Sequence, residues 1–300
     1  MLVFRTPASR LSLALVITLG FVFVEAAAGR AANSLSLLTD AAHNLTDAMA
    51  LGLSWIAARL SASPPSSRRT YGLHRAGILA ALINSATLLL VAGFIFIEAY
   101  RRLLSPPPVQ SVMLIVVGLV AVMVNLSTAL IVRPAGRRDL NLRSAFVHLM
   151  GDVLSTLGAV GAGIGILLTG KTWLDPLVSV FMGALILVNA WKIVRESSEI
   201  LLESTPPDVA VEAMVEDILG VEGVRGVHDL HVWSLTGSLR SMSAHILTED
   251  LRLSAGAKIQ QRINELVHVR YGIGHATLQL ECDACEPDDL FHDWHETTAG

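Results

Sequence analysis

The run SLSLLTDAAHNLTDAMALGLSWIAARL, residues 34–60, is long and apolar enough to cross a bilayer, yet it carries Asp40, His43 and Asp47. A spanning helix needs about 20 mostly apolar residues. An aspartate at the centre of one costs about 2.5–3.5 kcal/mol on insertion scales. Such residues persist where something useful offsets that cost. A second apolar run, Ala145–Thr169, contains HLMGD, residues 148–152, and so repeats the same unit: histidine, three residues, aspartate.

Around these two runs the chain reads as a membrane protein. Hydrophobic residues make up 52% of its 300 residues and charged residues only 16%. A soluble domain usually needs about 25% charged residues to face water. Net charge is −4, with no basic footprint for nucleic acid. Six spans are expected: Leu11–Ala28, Leu35–Leu60, Ala76–Tyr100, Val109–Val132, Ala145–Thr169 and Leu174–Val194. A cytoplasmic N-terminus places Arg5, Arg10, Arg59, Arg68, Arg69, Arg75, Arg133, Arg137, Arg138, Arg143, Lys192 and Arg195 inside. Only Arg30, Arg101, Arg102 and Lys171 then lie outside, which is the orientation that basic residues favour. With six spans both termini are cytoplasmic. Arg5, Arg10 and Ala26-Ala27-Ala28 imitate a cleavable leader, but Glu25 interrupts the run and five more spans follow, so the segment is expected to stay.

From Ser204 charged residues return. A helix capped by Asp208 and running to Leu219 is expected, followed by strands Val224–Leu235 and Leu239–Leu247. Helix Ser254–Arg270 and strand Ala276–Glu281 complete an αββαβ order, a small two-layer α+β, ferredoxin-like domain. The expected division is thus 1–203 for the six-helix transmembrane bundle, 204–285 for a cytoplasmic metal-binding and dimerisation domain, and 286–300 for a mobile acidic tail.

The spacing in the two runs has a geometric meaning. Four residues advance a helix by about 6 Å and a little over one turn, so both side chains share a face. Two such helices packed face to face bring His43, Asp47, His148 and Asp152 to one point. Two imidazoles and two carboxylates make a tetrahedral nitrogen and oxygen site that suits Zn2+, and two carboxylates neutralise a divalent charge. Imidazole and carboxylate also accept Cd2+ and Co2+. Polar residues can instead bond across helices as packing contacts; the repetition of one spacing in two spans favours the metal. Asp40 is either an entrance ligand, an acceptor behind the ligands, or a helix-start residue near the interface.

The runs SLSLLTDAAHNLTDAMAL, YGLHRAGILAALINS, HLMGDVLSTLGAV and HDLHVWSLTG resemble the cation diffusion facilitators, and within them the zinc/cobalt/cadmium efflux subgroup. The resemblance implies a homodimer in a membrane, expected to be the bacterial inner (plasma) membrane, exporting Zn2+ from the cytoplasm in exchange for protons. It makes His43, Asp47, His148 and Asp152 the transport site. It also implies that His245, His275 and Glu281 hold a cytoplasmic structural or regulatory ion. Cys282 and Cys285 are either half of a thiolate clip, with borrowed ligands, or free thiols in a reducing compartment. Alternation in the first strand sets His228 and His231 on opposite faces, so at most one serves a given site. Three features depart from the family's pattern. The loop between spans four and five has no histidine. Arg75-Ala76-Gly77 stands where Arg-Ala-Glu is common. His74 is alone between spans two and three, where it reads as an interfacial residue. Without His-Glu-x2-His or another catalytic constellation the chain is not expected to be an enzyme. A non-transporting metal sensor is the remaining alternative.

Overall fold

The computed structural model describes residues 7–133 and 140–282. Cys285 and the acidic segment from residue 286 lie outside the described residues. Six long helices come first: α1 Pro7–Ala32, α2 Leu35–Ser61, α3 Ala76–Leu104, α4 Ser111–Val132, α5 Leu140–Thr169 and α6 Leu174–Leu201. Five of them are apolar enough to cross a membrane on composition alone. The sixth is α2, whose stretch from Asp40 to Asp47 lowers its apolar character. α6 continues seven residues past the expected Val194.

The chain forms two compact units. The first comprises the residues up to Ala57 together with Ala80–Val194. Its outward face is apolar: Phe23, Leu90, Phe94, Leu154, Leu168 and Phe181 are all exposed. Patches of this extent on a helical unit belong against lipid, where helices satisfy their own backbone. Close approach holds the helices together. A Cβ on Gly118 of α4 would lie 2.7 Å from Val160, and one on Gly163 of α5 would lie 2.8 Å from Ile115. α3 meets α6 through Leu88, Ala92, Ile95, Ile186 and Ala190.

A buried aspartate sets where α2 begins. Asp175, at the start of α6, accepts hydrogen bonds from the Leu35 backbone N–H at 2.6 Å and from the hydroxyls of Ser34 and Ser36, each at 2.6 Å. A carboxylate on orphan N–H groups is the favoured partner of a helix N-terminus. With its start held, α2 turns Asp40, His43, Asn44 and Asp47, spaced i, i+3, i+4 and i+7, along a single stripe.

The second unit comprises Ala58–Leu79 and the chain from Arg195. It contains α7 Val211–Leu219, β1 Val224–Ser234, β2 Arg240–Thr248, α8 Leu253–Tyr271 and β3 Ile273–Cys282, the αββαβ order expected. The sheet runs β1-β2-β3, antiparallel between β1 and β2 and parallel between β2 and β3. One face buries Leu230, Val232, Met242, Ala244 and Ile246 against Met214 and Ile218 of α7 and Ile259, Ile263 and Val267 of α8. Asp208 does not cap α7. The cap position is Ala210, with no side-chain bond, because Asp208 is engaged by Arg240 at 2.8 and 2.9 Å. α8 ends on Gly272 at φ 67, a left-handed cap that a glycine enters without strain.

Candidate metal centres

The stripe on α2 meets α5 inside the first unit. His43 Nε2 lies 3.4 Å from an Asp152 oxygen and 3.6 Å from an Asp47 oxygen. His148 Nε2 lies 2.9 Å from Asp47 and 3.8 Å from Asp152. Each imidazole therefore touches both carboxylates, and the two rings meet edge-on with centroids 5.9 Å apart. One ligand atom from each of His43, His148 and Asp152 lies within 4.8 Å of the other two, and Asp47 contacts both rings. Asp152 is buried with its side chain 7% exposed, whereas the His148 side chain is 49% exposed. The cluster is thus sealed on one side and open on the other, which suits a group that must be reached by an ion.

Behind the four lies a polar chain that the spacing argument left undecided. Asp40 is fully buried, five residues past the start of α2 at Leu35. It accepts a hydrogen bond from the Thr156 hydroxyl at 2.9 Å, and the Asn125 amide of α4 reaches the same hydroxyl at 3.3 Å. Glu25 of α1 is fully buried and faces Asp40 and Asn44. Its signal in the sequence was a lone carboxylate in an apolar run.

The sheet of the second unit carries a separate cluster on the face away from its helices. His228 Nε2 is 3.1 Å from Glu281 Oε2, and His245 Nδ1 is 3.1 Å from Glu281 Oε1. The two rings stand edge-on at 5.1 Å. Although Glu281 Oε2 is so near His228, it has no aligned donor and is buried. A buried carboxylate oxygen beside an imidazole, contacted but not hydrogen-bonded, fits a cation ligand better than a finished ion pair.

Two expectations about this face need correction. His228 and His231 do not project oppositely: β1 bulges between them, with Asp229 at φ 48, so that His228 pairs with His245 and His231 with Ser243. An extra residue in one strand resets the alternation. His231 borders the cluster through Asp229, which lies 2.9 Å from His231 Nε2 and 3.4 Å from His245 Nε2. His275 is not brought to Glu281. It pairs with Ser241 at the far end of β3 and stacks edge-on with Tyr71 at 6.1 Å. Six residues of strand separate the two, about 20 Å. Cys282 is exposed at the end of β3. His74 lines a cleft with Tyr71, Arg75 and Glu203.

Six long helices, five of them apolar enough to span, with imidazoles and carboxylates meeting between α2 and α5, followed by a small α+β domain with a second such cluster, define an integral membrane protein built to handle cations. The chain belongs to the cation efflux family. The model of the cation efflux transmembrane domain matches residues 11–202, and that of the cation efflux protein cytoplasmic domain matches 206–283. The cadmium, cobalt and zinc/H(+)-K(+) antiporter of Bacillus subtilis is 36% identical over 93% of this chain and 90% of its own length. The zinc transporter ZitB of Pectobacterium atrosepticum is 36% identical over 94% and 88%. The metal cation efflux system protein CzcD of Cupriavidus metallidurans is 32% identical over 96% and 91%.

Proposed function

We propose that this protein exports Zn2+ from the cytoplasm in exchange for protons, with His43, Asp47, His148 and Asp152 as the transport site. The observation that carries the reading is that each of the two imidazoles lies within 4 Å of both carboxylates, between α2 and α5. Imidazole and carboxylate bind metal only when deprotonated, so loading the site releases protons and protonating it releases metal. Access alternating between the two sides of the membrane turns that competition into antiport. The names of the relatives support zinc, cadmium and cobalt as cargo and a proton as counter-ion.

The remaining assignments follow from the same reading. The protein is a homodimer joined through residues 204–285, with both termini in the cytoplasm of a bacterial inner membrane. His228, His245 and Glu281 hold a resident Zn2+ that stabilises or regulates this domain, and Cys282 and Cys285 complete it across the dimer. His275 is dropped from that set. The chain acts as a transporter and carries out no covalent chemistry. Purified protein reconstituted in liposomes with a pH-sensitive dye tests the reading. Addition of Zn2+ is expected to drive metal one way and protons the other. Zinc binding without flux would instead identify a sensor.

A further inference from the structure

The antiport reading assigns four side chains and leaves two further buried carboxylates, Glu25 and Asp40, unexplained inside the same helical unit. Glu25 is fully buried in α1, and neither of its oxygens has an aligned hydrogen-bond donor among the described residues, although the Asn44 amide is close by. It faces Asp40, which is also fully buried and whose Oδ1 likewise lacks a donor. The groups around the pair are few. Asn44 comes from α2, and the Thr156 hydroxyl of α5 donates to Asp40 Oδ2 at 2.9 Å. Asn125 of α4 donates to Thr156 at 3.3 Å, and α4 has no titratable residue from Ser111 to Val132. The titratable groups that also influence Asp40 are His43 of α2 and Asp152 of α5, both in the transport site.

Two carboxylates facing each other in an apolar interior, with no Lys or Arg among the groups around them, repel strongly. A proton held between the two removes that repulsion and supplies the missing donor to both. The alternative, two buried unpaired charges, is among the costliest arrangements a span can contain. Asp40 stands three residues before His43, so the pair lies about one helical turn from the transport site, toward the link between α1 and α2.

We propose that Glu25, paired with Asp40, is a proton-holding site distinct from the four metal ligands, and that it carries part of the counter-ion for antiport. The inference rests on the antiport reading. A proton arriving from the side of the α1–α2 link is held on this pair while the neighbouring cluster is loaded with metal, and it passes inward when the metal leaves. No bond other than O–H forms or breaks, and no further reactant is needed. Without Glu25 the four ligands still bind and exchange Zn2+, and fewer protons move for each ion.

The test compares wild type with Glu25→Gln in liposomes, with zinc and proton fluxes measured together. Zinc-for-zinc exchange, which needs no net proton movement, should stay within roughly twofold of wild type. Protons moved per Zn2+ should fall by at least roughly twofold, and the dependence of net export on external pH should flatten. Glu25→Asp, which keeps the carboxyl, should restore coupling. A Glu25→Gln protein that exchanges zinc with unchanged proton coupling and pH profile overturns the proposal. If wild type itself moves no protons with zinc, it is the antiport reading that fails. Should Glu25→Gln not insert, infrared spectra of wild type decide. The carboxylic C=O band of a protonated buried acid must be present at neutral pH and must change on zinc loading; its absence overturns the proposal.

Discussion

The two clusters use nearly the same donors on opposite scaffolds. Between α2 and α5 the candidate ligands come from two helices, each supplying one histidine and one aspartate a turn apart. On the sheet, His228, His245 and Glu281 come one apiece from β1, β2 and β3, which are fixed to each other by their ladder of hydrogen bonds. Exposure follows the same pattern in both: His148 is 49% and Asp152 7% exposed in the helical cluster, His245 30% and Glu281 6% in the strand cluster. Ligand chemistry alone therefore does not separate cargo from a resident ion. The scaffold does: two helices can slide or tilt apart and change which side an ion sees, whereas neighbouring strands cannot separate without unfolding.

The largest expected effect breaks one cluster and spares the other. Asp152→Ala should lower zinc flux in liposomes by more than roughly 100-fold, because a ligand is lost outright where even outer partners cost 10–100-fold. Zinc binding by the cytoplasmic domain, followed by equilibrium titration of the same preparation, should be unchanged. Loss of both would mean that the two sites are not independent. The converse change, Glu281→Ala, should weaken the cytoplasmic ion by roughly 10–100-fold while flux under saturating zinc falls no more than a few fold. A flux loss as deep as that of Asp152→Ala would place Glu281 in the transport path and erase the distinction.

How much of this was open to a reader of the sequence follows the same division. The helical cluster was legible because helix period is regular: His43 and Asp47, or His148 and Asp152, fall on one face whatever the surroundings, and the buried neighbours do not alter that. What periodicity did not reveal was the function of Asp40 and Glu25, since a lone carboxylate in an apolar run has no partner that spacing can name. The strand cluster was legible only in part. Its residue types and strand order were readable, but register was not. One left-handed residue, Asp229, inserts a bulge and brings His228 and His231 to the same face, against simple alternation. His275 shares a face with Glu281, and only the pairing of β3 along β2 shows that it sits at the other end. Asp208 was misread because a capping residue type says nothing about a competing guanidinium thirty-two residues on.

A finer test of the strand register follows. His228→Ala should weaken the cytoplasmic ion by about tenfold or more, whereas His275→Ala should leave its affinity within about twofold. Reversal of that order, read by the same titration, would mean that β3 delivers its histidine to the cluster by another route, such as the second protomer.

The smallest expected effect concerns what holds the strand cluster in place without any ion. Arg240 begins β2 and is held from two sides, donating to the Tyr271 carbonyl at 2.9 Å and to the Asp208 carboxylate at 2.8 Å. The guanidinium keeps the Asp208 carboxyl below its usual range by hydrogen bonding and by charge. A group whose folded value is lowered adds stability that is present above its unfolded value, near pH 4, and is lost as pH falls through the folded value. The pair is exposed at Asp208, so water screens it and its contribution is held to about 0.5 kcal/mol. Asp208→Asn should therefore lower the unfolding temperature of the zinc-free cytoplasmic domain, followed within the full-length protein in detergent, by a degree or two at pH 7 and by less once the pH is below the unfolded value near 4. An equal loss at both pH values would show that Asp208 acts through its shape and not its charge. No change at either would mean that the ladder of β2, already bonded on both edges, needs no help from the salt bridge to present His245.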